Sequence, residues 1–134
     1  MDAIILEPTA TTPKVIIDPS KDKFEISGES RPENAAKFYT PIIAWFDNYK
    51  SVLYFQKESF GKAKSVNMDF KLEYFNSTSA KFILDIFYQL EKIKKDGFEV
   101  EVIWNYDARD TDMKESGEEF SSYVPGLAVK YVEY

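Results

Sequence analysis

Between residues 65 and 95 the spacing of apolar side chains changes period, and this change limits the possible folds more than any other feature of the chain. From Ser65 to Tyr74, Val66, Met68, Phe70, Leu72 and Tyr74 alternate with Asn67, Asp69, Lys71 and Glu73. A period of two predicts a long strand covered mainly on one face, with those five apolar residues turned inward. Beyond it, Ser79, Ile83, Ile86, Leu90 and Ile93 recur at helical spacing as far as about Lys95. Only Phe75-Asn76-Ser77-Thr78 separates the two patterns. Asp96-Gly97 stops the helix, and Phe98 to Tyr106 reads as another strand. A strand, a short junction, a helix and a second strand make a parallel crossover unit.

The remaining segments extend this pattern. Pro8 to Pro13 reads as turn-rich, so residues 1–13 are expected to be an irregular lead-in. Lys14–Asp18 is a β-branched run, Pro19–Asp22 is turn chemistry, and Lys23–Ser27 alternates; together they predict an antiparallel hairpin. In Gly28-Glu29-Ser30-Arg31-Pro32-Glu33-Asn34, Ser30 and Glu33 fit a capping box, with Pro32 in the first turn. The expected helix runs from Pro32 to Tyr49, through Pro41, and buries Phe38, Ile42, Trp45, Phe46 and Tyr49. Tyr54 to Lys64 reads as a polar loop, Thr111 to Tyr123 as a charged helix, and Leu127 to Tyr134 as a last strand. The predicted order is β-β-α-β-α-β-α-β over one domain spanning 1–134. It is an α/β fold with a mixed five-stranded sheet and helices packed mainly on one face.

Composition removes several classes of function. There is no Cys, which excludes disulfides, thiolate metal sites and cysteine nucleophiles, and no His, which excludes a Ser-His-Asp triad and HExxH chemistry. With 17 Lys and Arg against 23 Asp and Glu, the formal charge is −6, unfavourable for binding a phosphate backbone or an anionic leaflet. Neither GxxxxGK nor GxGxxG occurs. No apolar run reaches the ~18 residues of a membrane span, and the first residues carry no signal-peptide pattern. The expectation is a cytoplasmic binding or regulatory domain without a cofactor, metal, nucleic-acid partner or membrane insertion.

The candidate site is the junction Asn76-Ser77-Thr78-Ser79, three hydroxyls where a strand hands over to a helix. One reading makes Ser77 or Thr78 the helix cap. The other makes a hydroxyl here a phosphorylation site, since a helix N-terminus offers free N–H groups and a positive dipole end to an anion. The two readings are compatible. On a helical wheel, Leu84 and Tyr88 fall almost opposite the inward stripe, with Lys81 beside them and Ser77 toward the same side. They form the candidate partner surface. Arg31, the only cation between Gly28 and Asn34, is a further candidate that could steer toward a phosphate.

Several motifs carry a resemblance. Leu72-Glu73-Tyr74-Phe75-Asn76-Ser77-Thr78-Ser79-Ala80-Lys81 with Asp85-Ile86 resembles the central motif of the SiaC family of bacterial regulatory phosphoproteins. Gly28–Asn34, Trp104-Asn105-Tyr106-Asp107 and Glu118-Glu119-Phe120 are similar to other segments of that family, in the same order, from about residue 10 to 125. The family is similar in turn to STAS-type anti-sigma-factor antagonists. The resemblance implies a STAS-like fold and a non-enzymatic partner switch. A Ser/Thr kinase would phosphorylate the protein and a PP2C-type phosphatase would reverse it. The unphosphorylated form would bind an effector, a diguanylate cyclase in SiaC-type systems. It further implies Ser77 as the acceptor, with the adjacent Thr78 as the runner-up. Together with the wheel projection and the lone cation Arg31, the expected partner-facing set is Asn76, Ser77, Thr78, Lys81, Leu84, Tyr88 and Arg31. The alternative is a small carboxylate-dependent enzyme with Asp107, Asp110 and Glu118 in a pocket at the C-terminal edge of the sheet.

Overall fold

Six strands lie side by side in sequence order, β1 (Ile4–Leu6), β2 (Lys14–Asp18), β3 (Lys23–Ser30), β4 (Val66–Phe75), β5 (Val100–Tyr106) and β6 (Ala128–Glu133). The computed structural model describes all residues from Met1 to Tyr134. β1 to β3 are antiparallel, and β3 to β6 are parallel. The parallel steps are bridged by α1 (Ala35–Phe60), α2 (Ser77–Lys95) and α3 (Thr111–Ser122). Right-handed crossovers that always step in one direction put every helix on one face. Side-chain burial follows: Val66, Met68, Phe70 and Leu72 are buried, whereas Asn67, Lys71 and Glu73 are exposed on the open face. The mixed α/β sheet predicted from hydrophobic period is therefore present, with one strand more than expected. The extra strand is β1, in the supposed irregular lead-in. It pairs with β2 through Ile4–Ile17, Ile5–Ile16 and Leu6–Val15, and the Trp45 indole N–H holds the Asp2 carbonyl at 2.8 Å.

The start of α1 corrects the capping-box reading. Ser30 is not a helix cap; it ends β3, fully buried. The cap is Asn34, whose side chain accepts from the Lys37 N–H at 3.1 Å. α1 is one continuous helix through Pro41 and runs past Tyr49 to Phe60, where Gly61 closes it at φ +81°. Leu53 extends the inward stripe by a turn beyond Tyr49, so the expected loop at 54–60 is helical. Phe38 is only half-buried; Tyr39, beside it, takes the core position.

β4 departs from simple alternation at one place. Leu72 pairs with Gly28, Tyr74 with Glu29 and Phe75 with Ser30, so Glu73 and Tyr74 together oppose Glu29. This bulge reverses the facing of the last residues of the strand. Tyr74, expected inward, is exposed, and Phe75 packs its ring 5.7 Å from that of Phe120 on α3. The bulge also places Ser30 level with Phe75, directly before the candidate junction.

α3 packs on β5 through a close approach. The Trp104 indole N–H donates to the Met113 carbonyl at 2.9 Å, and a Cβ on Gly117 would lie 2.5 Å from the indole ring. Alanine is favoured over glycine in a helix by up to about 1 kcal/mol, whereas overpacking costs typically ~1–3 kcal/mol. A 2.5 Å approach to a rigid ring puts the cost in the upper part of that range, so Gly117→Ala is expected to lower stability in urea unfolding by roughly 1–2 kcal/mol net. A variant as stable as the parent would show that α3 does not seat on Trp104 in this way.

Candidate functional site

β4 delivers the chain to Asn76, and the backbone turns there into α2. Asn76 donates its N–H to the Ser30 carbonyl at 3.0 Å, tying the junction to the end of β3. Its side-chain oxygen accepts from the Ser79 N–H at 2.9 Å, and its backbone oxygen accepts from the Ala80 N–H at 3.0 Å. Asn76 is the N-cap of α2, so neither Ser77 nor Thr78 caps the helix.

The three hydroxyls have different surroundings. Ser79 is fully buried at the head of the inward stripe; its hydroxyl donates to the Ser30 carbonyl at 3.1 Å and accepts from the Ser30 hydroxyl at 2.9 Å. Thr78 is exposed, and its hydroxyl donates to the Asn76 side-chain oxygen at 3.1 Å. Ser77 is exposed, and its hydroxyl makes no hydrogen bond to the protein. The first turn of α2 carries no acidic residue, and Lys92, Lys94 and Lys95 occupy its last turn. The positive end of the helix dipole therefore lies beside Ser77 without a built-in carboxylate.

Of the other candidates, Lys81 follows Ser77 by one helical turn, exposed, with its ammonium 5.0 Å from the centre of the Phe82 ring. Tyr88 is exposed and lines a shallow cleft between α2 and α1 with Ile43, Asp85 and Lys92. Leu84 is placed differently from the wheel projection: it is half-buried and packs against the core. Arg31 lies next to Ser30, so its backbone adjoins the junction. Its guanidinium, however, is engaged by Glu29 at 3.4 Å and by the Ala10 carbonyl at 3.2 Å.

Sequence reasoning missed a buried cluster under the junction. The Tyr39 hydroxyl from α1 meets the Ser30 hydroxyl, which meets Ser79. Burial pushes the Tyr39 phenol above its ordinary range, so it remains a hydrogen-bond donor at neutral pH. A signal for the cluster was present: Ser30 has the inward parity of Phe24 and Ile26, and Ser79 heads an apolar stripe.

The acidic set at the strand edge is not assembled. Asp107 and Asp110 line a cleft with Leu72, Glu73, Arg109 and Tyr134, but Glu118 is exposed on α3 and is not part of it. The Arg109 guanidinium donates to both Asp107 carboxylate oxygens, at 3.0 and 2.8 Å, and holds that carboxyl well below the usual range. Asp110 caps α3 by accepting from the Met113 N–H at 3.0 Å. No helix is long and apolar enough to cross a membrane.

These features define a small α/β domain with one open sheet face, in which the most organised polar feature is a hydroxyl-bearing strand-to-helix junction. Residues 6–134 match the SiaC family of regulatory phosphoproteins, and the chain belongs to that family. The fold is that of apo-SiaC from Pseudomonas aeruginosa, with a TM-score of 0.84 at 24% identity over 98% of this chain and 99% of that one. A chain from the complex of the diguanylate cyclase SiaD with its activator SiaC, also from Pseudomonas aeruginosa, gives a TM-score of 0.85 at 24% identity over 98% and 99%. An uncharacterised protein of Pseudomonas aeruginosa (strain UCBPP-PA14) is 28% identical over 112 residues, 84% of this chain and 82% of that relative.

Two measurements check this geometry. Removing a helix N-cap typically costs ~1 kcal/mol. Asn76→Ala should lower stability by about that amount or more, because Asn76 also takes the Thr78 hydroxyl, whereas Thr78→Val should stay within about 0.5 kcal/mol of the parent. Equal losses for the two would contradict the cap assignment. In an NMR pH titration the Asp107 carboxyl should stay ionised well below the ordinary aspartate range, and Arg109→Ala should restore an ordinary midpoint. Because its folded-state pKa is depressed, any stability it contributes is present above the unfolded-state pKa and is lost as pH falls through the folded-state value.

Proposed function

We propose that this protein is a phosphorylation-controlled partner switch acting as one domain, with Ser77 as the phosphoacceptor and a diguanylate cyclase as the effector of the unphosphorylated form. A Ser/Thr kinase adds the phosphate and a PP2C-type phosphatase removes it. The protein is not itself an enzyme and works in the cytoplasm. The observation that carries the reading is the contrast within the junction: Ser79 is buried, the Thr78 hydroxyl is bonded, and the Ser77 hydroxyl is both exposed and unbonded. Family membership supports the phosphoprotein class. The solved complex of SiaD with its activator SiaC supports the choice of effector.

The chemistry of the switch follows from the position. A phosphate at Ser77 adds nearly two negative charges at pH 7 to a turn whose own side chains, Asn76 to Ser79, are all neutral. Near an exposed helix N-terminus the dipole favours that anion by ~0.3–1 kcal/mol. A partner covering the junction would have to desolvate or repel the same group, and that costs binding free energy. Tyr88 and Lys81, exposed on α2 beyond Ser77, are the side chains such a partner would cover. Leu84 supports that face from beneath, so its role in contact is smaller than its type suggests.

Phosphopeptide mapping after treatment with the cognate Ser/Thr kinase should find a single phosphate at Ser77. Ser77→Ala should abolish modification and keep effector binding at the parent level, whereas Ser77→Asp should weaken it. Phosphate found only outside residues 77–79 would overturn the assignment. Tyr88→Ala and Lys81→Glu should each weaken binding at least about tenfold in calorimetric titration, a loss of ~1.4 kcal/mol or more, with unchanged thermal melts. If both bind like the parent, the interface lies elsewhere.

A further inference from the structure

We propose that Ser30, Tyr39 and Ser79 form a buried positioning network that fixes the Asn76–Ser79 turn and thereby presents the Ser77 hydroxyl for modification. The proposal rests on Ser77 being the acceptor and adds the device that aims it.

Donor counting fixes the direction of the chain. The Ser79 hydroxyl donates to the Ser30 carbonyl at 3.1 Å, and the Ser30 hydroxyl donates to the Ser79 oxygen at 2.9 Å. A serine has one hydrogen to give, so the remaining contact runs from the Tyr39 O–H to the Ser30 oxygen. The chain starts on α1, passes through the Ser30 hydroxyl at the end of β3 to Ser79 on α2, and returns to β3 at the Ser30 carbonyl. Its last acceptor, the Ser30 carbonyl, also takes the Asn76 N–H at 3.0 Å. Asn76 returns its side-chain oxygen to the Ser79 N–H at 2.9 Å. Residues 76 and 79 are thus both held, and Ser77 lies between them with its hydroxyl free.

Stability alone does not call for such a chain. Replacing a set of mutually bonded buried polar groups by apolar ones of similar shape is often nearly neutral. A fully satisfied network, by contrast, specifies one arrangement of the elements it joins. Here it joins three elements at the one point where the acceptor is displayed. The Tyr39 ring is itself held, lying nearly parallel to Phe82 of α2 at 6.0 Å between centroids and edge-on to Phe38 at 5.0 Å. Rotation of α1 or displacement of Phe82 would therefore be felt at the turn.

The test uses the full chain, with amide hydrogen exchange as one readout and steady-state phosphorylation by the cognate Ser/Thr kinase as the other. The variants are Tyr39→Phe, Ser79→Ala, and the combination of Ser30→Ala, Tyr39→Phe and Ser79→Ala. Loss of one buried hydrogen bond shifts a local opening equilibrium by up to roughly tenfold. In Tyr39→Phe and Ser79→Ala, amides 76–80 should exchange several-fold to about tenfold faster than in the parent, with β5 and α3 unchanged. The kcat for Ser77 phosphorylation should fall with little change in KM. The combined variant should melt within a few degrees of the parent yet remain a poor substrate. Unchanged exchange at 76–80 would overturn the network as a clamp. Faster exchange with an unaltered kcat would overturn its role in presentation. If the parent itself is not phosphorylated at Ser77, the assignment of the acceptor fails, and the exchange data still decide whether the network holds the turn.

Discussion

The carbonyl of Ser30 accepts two hydrogen bonds, one from the Asn76 amide and one from the Ser79 hydroxyl, and the geometry of the candidate site depends on that pair. It lies where the parallel pairing of β3 and β4 ends and α2 begins. The bulge at Glu73 and Tyr74 brings Ser30 level with Phe75, so that the next residue, Asn76, meets the carbonyl. Without the bulge, Phe75 would face solvent and the turn into α2 would start from the wrong side of the sheet. A backbone irregularity one turn away thus sets the direction in which Ser77 points.

The domain divides its polar groups into two kinds. Those beneath the junction are buried and have partners: Ser30, Tyr39 and Ser79 satisfy one another. Those above it are exposed and, at Ser77, uncommitted. A charge added to the second kind meets water, backbone N–H groups and the helix dipole, and leaves the first kind untouched. On the proposed reading, this division is what would let a covalent modification alter a binding surface without a cost to the core. Beyond the C-terminal end of the neighbouring strand β5, Asp107 and Asp110 do structural work: one is locked to Arg109 and the other caps α3.

Much of the fold was legible because hydrophobic period is a local property. β2 begins and ends where the β-branched run does, and α2 and α3 end within one residue of the expected position. The failures have tertiary causes. β1 is only three residues long and is stabilised by pairing with β2 rather than by its own pattern. The capping box at Ser30 and Glu33 is sound chemistry, but Ser30 is claimed by the end of β3 and Asn34 supplies the cap instead. Tyr74 obeys the alternation in sequence and breaks it in space because the register slips at the bulge. At the site, the junction and its hydroxyls could be read from spacing, whereas Tyr39 lies 38 positions before Ser77 in the chain and no local pattern links the two. The half-burial of Leu84 was equally hidden, since a helical wheel takes no account of neighbouring elements.

The central claim is that phosphorylation changes a surface on a rigid support. The most direct measurement is a comparison of backbone amide NMR spectra of the protein before and after modification at Ser77. The account predicts shift changes confined to residues 76–81 and the adjoining end of β3, with the amides of β5, β6 and α3 superimposable. Changes spread through α1 and the sheet, or loss of dispersed signals, would contradict it and would mean that the switch works by altering the fold itself.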